Sequence, residues 1–264
     1  MASGKADAYS AAAPNARLYP FAAVGFIADR ETKSRLLCVC HELGPGLSAT
    51  IIDSIVNKGD VCFDIGANIG VYTCVLGLIS GAGTNIHAFE PADHIRRKLH
   101  RNLQLNGLAG VSANSFALGA AETESKFFEV KEGTFRGGVS SFVRNENIDR
   151  MKESNFTERR VQVRMLDNYV SEASPPRINF LKIDVEGFEL EVLRGGIRTI
   201  DRFRPFILME YDEIRHRKDA AEMLSMFKDL HYEALEPFLE RGKLGFSRWS
   251  FDRTPKERNV LLMP

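Results

Sequence analysis

Apolar positions along the chain switch between two periods, and the switches fall at glycines and prolines. Leu47, Ile51, Ile52 and Ile55 stand at helical spacing, and Gly59 ends their run. Residues 60–65 (DVCFDI) form a short apolar run that predicts a buried strand, and residues 66–70 a glycine-bearing turn. Residues 71–79 predict a helix closed by Gly81, and residues 85–90 (NIHAFE) a second strand. Pro91 opens a helix in which Ile95, Leu99 and Leu103 recur every four residues, ended by Asn106-Gly107. Residues 111–118 predict a third strand. Residues 126–130 and 160–165 follow, and in the latter Val161, Val163 and Met165 alternate with Arg160, Gln162 and Arg164. The alternation resumes with a strand at 178–184, a helix at 188–200 and a strand at 206–210. A helix carrying Met223, Leu224, Phe227 and Leu230 comes next, then strands at 232–235 and 259–263. Such strand-helix alternation predicts an α/β fold with a doubly wound, mostly parallel sheet.

Two regions stand outside this rhythm. Residues 1–45 read as an N-terminal arm or lid extension ahead of a main domain at 46–264. Residues 131–159 are polar, carry Gly133, Gly137 and Gly138, and are too long for a turn, so a flap insertion is expected there. Residues 237–258 read as a further loop region.

Composition narrows the function classes. Lysine plus arginine number 35 and aspartate plus glutamate 35, so the net charge is zero; a generally basic nucleic-acid coat is excluded. With 44% hydrophobic and 27% charged residues the chain is too apolar for disorder. The four cysteines, Cys38, Cys40, Cys62 and Cys74, form no C-x-x-C pair. Together with the absence of an apolar leader or a membrane-length apolar run, they suggest a reducing, cytoplasmic chain.

Three motifs carry chemistry. In VCFDIGANIGVY (61–72) a buried strand ends in Asp64, and Gly66 and Gly70 allow a tight turn at a helix N-terminus. Asn68 stands where the dinucleotide fingerprint has its second glycine, and the last spacing is one short, so a pyrophosphate is disfavoured. Asp64 suits a cationic ligand instead. Glu90, 20 residues after Gly70 at the end of the next strand, suits the two hydroxyls of a ribose. In FLKIDVEGFE (180–189) a strand delivers Asp184 and Glu186 to its carboxyl end, and Gly187 permits a sharp turn. The plainer readings are an ordinary packing turn, an acidic helix start and a capping carboxylate pair.

Taken together, DIGANIGVY, AFEP, the Asn102…Asn106-Gly107-Leu108 helix end, ALG at 117–119, the Ser140-Ser141 pair, VRMLD at 163–167 and LKIDVEGFE resemble the FkbM-type methyltransferases of the class I S-adenosylmethionine-dependent group. The resemblance spans roughly residues 45–264. It implies a Rossmann-like sheet of seven strands with the last antiparallel, and methyl transfer to oxygen, often of a sugar hydroxyl. It implies that Gly66, Ala67, Asn68 and Gly70 hold the methionine part of the cofactor and that Glu90, with Pro91, holds the ribose. Phe116, Ala117 and Leu118 would flank the adenine, and Asp184 would face the sulfonium. Ser140 and Ser141, with Arg136, are flap candidates for the acceptor.

A hydroxyl needs help to lose its proton. Asp184, Glu186, Glu210 and His216 are candidate bases, although His216 also reads as part of a solvated charged loop. Glu210 ends the strand expected beside that of Asp184, so these two would share a proton or bind a divalent cation such as Mg²⁺. The basic helix with His94, Arg96, Arg97, Lys98, His100 and Arg101 reads as a solvated face; no aromatic interleaving supports nucleic acid. The expected partner is a small-molecule or saccharide acceptor. Trp249 and His87 read as packing residues.

Overall fold

The computed structural model describes residues 47–81, 85–131, 140, 142, 155–240, 243–256 and 258–264. The arm at 1–45, Cys38, Cys40, Arg136, Ser141 and most of the 131–159 flap lie outside the described residues.

Helix α1 (Leu47–Ile55) leads into β1 (Cys62–Ile65), α2 (Val71–Ser80), β2 (Ile86–Phe89), α3 (Asp93–Leu105) and β3 (Ser112–Asn114). A second small sheet follows, made of β4 (Ala117–Leu118), β5 (Thr123–Val130) and β6 (Phe156–Arg164) in the order β4-β6-β5. Then come α4 (Leu166–Ala173), β7 (Phe180–Ile183), α5 (Glu189–Gly195), α6 (Ile197–Phe203) and β8 (Phe206–Glu210). Helices α7 (Glu213–His216) and α8 (Ala220–Asp229) and strands β9 (Glu233–Glu240), β10 (Lys243–Arg248) and β11 (Asn259–Met263) complete the described chain.

The main sheet has the order β10-β9-β11-β8-β7-β1-β2-β3. Pairs from β8 to β3 are parallel, and β11 is antiparallel to both β8 and β9. Leaving β10 aside, this is the seven-stranded Rossmann-like order of class I methyltransferases, with the last strand antiparallel and inserted second from the edge. Successive strand residues face opposite sides, so each buried strand serves two cores. Cys62, Phe180, Leu208 and Leu261 pack under α1 and α2 with Ile51, Ile52 and Leu76. Phe63, Leu181, Ile183, Ile207 and Met209 pack on the other side with Leu166, Leu193, Ile200 and Phe227.

Four expectations need correction. The sheet has eight strands, because β9 runs on to Glu240 and turns back as β10 in a stretch expected to be loop. Pro237 hides this: it sits where β9 has outrun β11 and pairs with β10 alone, a place where a missing N–H is tolerated. The single strand expected at 111–118 is two, since the chain leaves the main sheet after Asn114 and β4 pairs with β6. The helix expected at 188–200 breaks at Gly195-Gly196, where a Cβ on Gly195 would lie 1.9 Å from the Gly119 carbonyl. Helices α4 and α7 stand where no helix was expected.

Candidate active site

Parallel pairing brings the carboxyl ends of β1, β2, β7 and β8 to one edge of the sheet, the edge where such folds bind ligands. The turn after β1 has three left-handed residues: Gly66 (φ 84°), Asn68 (φ 52°) and Gly70 (φ 90°). Asparagine tolerates that region better than other side chains, and its own Oδ1 accepts from the Ile69 amide at 2.8 Å. A Cβ on Gly66 would fall 1.9 Å from the Asp184 carbonyl oxygen, and one on Gly70 2.4 Å from a Leu99 methyl. Both glycines are therefore dictated by close approach within the protein. Asn102, buried in α3, donates to the Ile69 carbonyl at 2.8 Å and ties that helix to the turn.

Glu90 follows β2. Its Oε2 accepts from the Asn68 amide at 3.0 Å and its Oε1 from the Ala92 amide at 2.8 Å. Burial pushes its pKa up to about 7, against the opposing pull of those two amides. Asp64 lies deeper: it is buried, its Oδ2 accepts from the Thr73 hydroxyl at 2.5 Å, and burial raises its pKa to about 6. It therefore braces the start of α2 from beneath the turn. Beyond Glu90 a cleft of about 260 Å³ opens between Pro91, Ala92, Arg96 and Ser115 on one side and Phe127, Arg159 and Val161 of the β5–β6 hairpin on the other. Phe116 packs half-buried on Phe89 and Tyr169, whereas Ala117 and Leu118 are buried in the small sheet.

At the ends of β7 and β8, Asp184, Glu186 and Glu210 present carboxylate oxygens within 4.8 Å of one another. The expected meeting of Asp184 and Glu210 is thus observed, but basic side chains already serve the cluster. Arg215, 10% exposed, places Nη1 3.0 Å from Glu186 and 2.8 Å from Glu210. Lys182, fully buried, places Nζ 3.2 Å from Asp184 and 3.3 Å from Asn259 Oδ1. Burial and the neighbouring acids raise the pKa values of Glu186 and Glu210, with Arg215 opposing. Burial pulls Lys182 down, but Asp184 and Tyr72 outweigh it and the net shift is upward. A divalent cation would have to displace Arg215, so the donor set as arranged does not fit a metal.

His216 is wholly buried, which corrects its reading as a solvated loop residue. Its Nε2 lies 2.6 Å from Glu189 Oε2, its Nδ1 faces the backbone of Asp212, and its ring stacks on Tyr211. Both nitrogens point into the protein. Glu189, the last residue of the FLKIDVEGFE motif, also accepts from the amides of Val185 and Gly187, each at 3.0 Å. Ser140 is turned to the Val130 amide at 3.0 Å. Phe142 stacks on Phe188 and leans on Phe127, so this one side chain links the start of α5 to β5. Asp167 of the VRMLD motif accepts from the Arg198 and Thr199 amides and serves as a remote cap for α6. His87 bonds the Tyr169 hydroxyl, and Trp249 packs between Tyr211 and Phe251, both as expected.

Lys182, Glu189 and Arg215 are the site residues that sequence reasoning left without a role. The first two stand inside a quoted motif. Arg215 carried no signal beyond its nearness to Glu210.

Comparison with known proteins adds the following. The family described as Methyltransferase FkbM domain matches residues 64–234. A protein named Methyltransferase 1 from Beauveria bassiana is 32% identical over 142 residues, 50% of this chain and 56% of that one. Hexuronic acid methyltransferase AglP from Haloferax volcanii is 27% identical over 171 residues, 65% of this chain and 64% of that one. The chain thus spans less than two thirds of the length of these relatives. The crystal structure of an FkbM methyltransferase from Methylobacillus flagellatus aligns with a TM-score of 0.47 at 16% identity, over 92% of this chain and 57% of that one.

Proposed function

Because the chain belongs to the FkbM methyltransferase family, we propose that it uses S-adenosylmethionine to methylate an oxygen, with a saccharide hydroxyl as the acceptor. The observation that carries this reading is the union of the Gly66–Gly70 turn with Glu90. Each Glu90 oxygen takes a single amide hydrogen, from Asn68 or Ala92, and keeps lone-pair capacity for a ribose hydroxyl. The residues present therefore fit the cofactor. Ala67, Asn68 and the turn would hold its methionine end, Glu90 and Pro91 its ribose, and Phe116 with the adjoining cleft its adenine. Ala117 and Leu118 contribute through the packing beneath. The cofactor, when bound, supplies a methyl group activated on a cationic sulfur.

The protein's own residues do the rest. Asp184 sets negative charge at the end of β7, next to the turn. The hydroxyl proton passes to one carboxylate of the Glu186–Glu210 pair, which shares the Arg215 guanidinium. Their raised pKa values match a base that works near neutral pH, and Arg215 between them keeps the charged forms accessible. Orientation of the acceptor against the methyl group supplies the remaining acceleration. Support for a saccharide acceptor comes from the name of the Haloferax volcanii relative; the flap candidates Ser140, Ser141 and Arg136 would contact it.

Calorimetry with S-adenosylhomocysteine, with NADH as the control titrant, tests the cofactor. Labelled-methyl transfer to glycan and small-molecule extracts tests the acceptor. Binding of NADH alone would overturn the reading, and label appearing only on nitrogen would overturn its oxygen half.

A further inference from the structure

The loop that carries Asp184 and Glu186 is held from below. Glu189 opens α5, yet its carboxylate turns back and takes the amides of Val185 and Gly187, the two residues that flank Glu186. Glu186, between them, has φ 56°, and Gly187 itself has φ 100°. A glutamate rarely adopts that conformation unless its surroundings impose it. Two amides converging on one anion have the form of a backbone nest, here filled by the protein's own side chain.

A carboxylate with 0% exposure needs a partner of its own. His216 provides it through Nε2, also at 0% exposure, across a 2.6 Å contact. The histidine is fixed in turn by the Asp212 backbone and by stacking on Tyr211, whose hydroxyl bonds the Phe251 carbonyl. One turn of α7 therefore reaches the loop twice. His216 grips it from inside through Glu189, and Arg215 meets Glu186 and Glu210 from the site side.

We propose that Glu189 and His216 form a positioning pair for methyl transfer, holding the 184–187 segment so that Asp184 and Glu186 keep their places at the sheet edge. The pair touches neither cofactor nor acceptor; it acts through the two loop amides. This rests on the reading of that edge as the methyl-transfer site. It gives the buried Glu189–His216 contact a function beyond packing.

The test compares the full chain with its Glu189→Gln, His216→Leu and His216→Gln variants. Glutamine at 216 keeps a donor within reach of Glu189, and leucine does not. Amide exchange by NMR should show Val185 and Gly187 exchanging about ten- to a hundredfold faster in Glu189→Gln and His216→Leu. The amides of Phe63 and Leu181 in β1 and β7 should keep their protection. His216→Gln should restore most of the loss. Labelled-methyl turnover should fall with the loop protection and return with it, while S-adenosylhomocysteine affinity stays within about threefold, since the turn and Glu90 belong to other strands.

Unchanged exchange at Val185 and Gly187 overturns the proposal. So does equal acceleration in β1 and β7, which marks a general loss of stability, and so does loosened exchange with wild-type turnover. If the wild-type chain binds no S-adenosylhomocysteine, the cofactor reading fails on its own, and the exchange data still decide whether the pair holds the loop.

Discussion

The carbonyl oxygen of Asp184 occupies the space where a side chain on Gly66 would begin, 1.9 Å from an ideal Cβ. The Gly66–Gly70 turn and the 184–187 loop are therefore in backbone contact at Gly66 and Asp184. The Asp184 amide donates to the Ile65 carbonyl at 3.0 Å and locks the same junction.

Gly66→Ala should consequently damage both halves of the site. The positive φ and the clash together should cost about 2–5 kcal/mol in urea unfolding, and S-adenosylhomocysteine binding should be lost. A variant within about 0.5 kcal/mol of wild type would show that the junction yields easily.

Protonation of Glu90 should tie stability to pH. Its folded pKa of about 7 exceeds the about 4.3 of an unfolded glutamate. Between those values the native state binds the extra proton. The stabilisation is complete below about pH 4 and is lost as pH rises through 7. Asp64, at about 6, adds in the same direction. Unfolding of the ligand-free protein should therefore become easier from pH 5 to 7.5, and Glu90→Gln should flatten the slope. Affinity for S-adenosylhomocysteine should rise over the same window, because ribose hydroxyls bond best to the ionised carboxylate. Equal slopes for the two proteins would contradict this.

Magnesium should have no effect on the wild-type protein. Arg215 and Lys182 already serve the three carboxylates. Millimolar Mg²⁺ or a chelator should leave the melting temperature within about 1 °C and leave turnover unchanged. A clear metal-dependent rise in either would show that Arg215 gives way to a cation.

Arg215→Met should be costly, because it leaves two largely buried carboxylates without their shared cation. A loss of about 3–5 kcal/mol at neutral pH is expected, shrinking as the solution is acidified and the carboxyls become neutral. A cost that does not vary with pH would mean that the arginine serves mainly by packing.

Asp167→Ala separates motif from site. The residue belongs to the VRMLD signature, yet it bonds the Arg198 and Thr199 amides in the first turn of α6. Its loss should cost about 1–2 kcal/mol, as for a helix cap. Affinity for S-adenosylhomocysteine should be unchanged in calorimetry.

Glu90, Asp184 and Glu210 were legible because each directly ends an apolar run, and parallel strands place such ends together. Asn68 was legible by what it replaced. Arg215 and His216 were not: their contacts depend on α7, a four-residue helix without apolar periodicity, and on Glu189, 27 residues earlier in the chain. The β9–β10 hairpin was obscured by Pro237, and the split between β3 and β4 by a run whose apolar residues serve two different sheets. Glu189 stood in plain view in its motif, but nothing local shows that a carboxylate at a helix start will reach backward.

The central place of β1 in the sheet also gives it two pairings of unequal range. Its two neighbours are β2, close in sequence, and β7, where the Val61 amide meets Asn179 across 118 residues of chain. Contacts of that range are slow to form, because the entropy of closing the loop is lost before they stabilise anything. The Asp184 amide can reach the Ile65 carbonyl beside Gly66 only once β7 is docked on β1. The bonds of the turn to Phe89 and Glu90 are local by comparison. The junction of Gly66 with Asp184 is therefore where the short-range and long-range halves of the sheet meet.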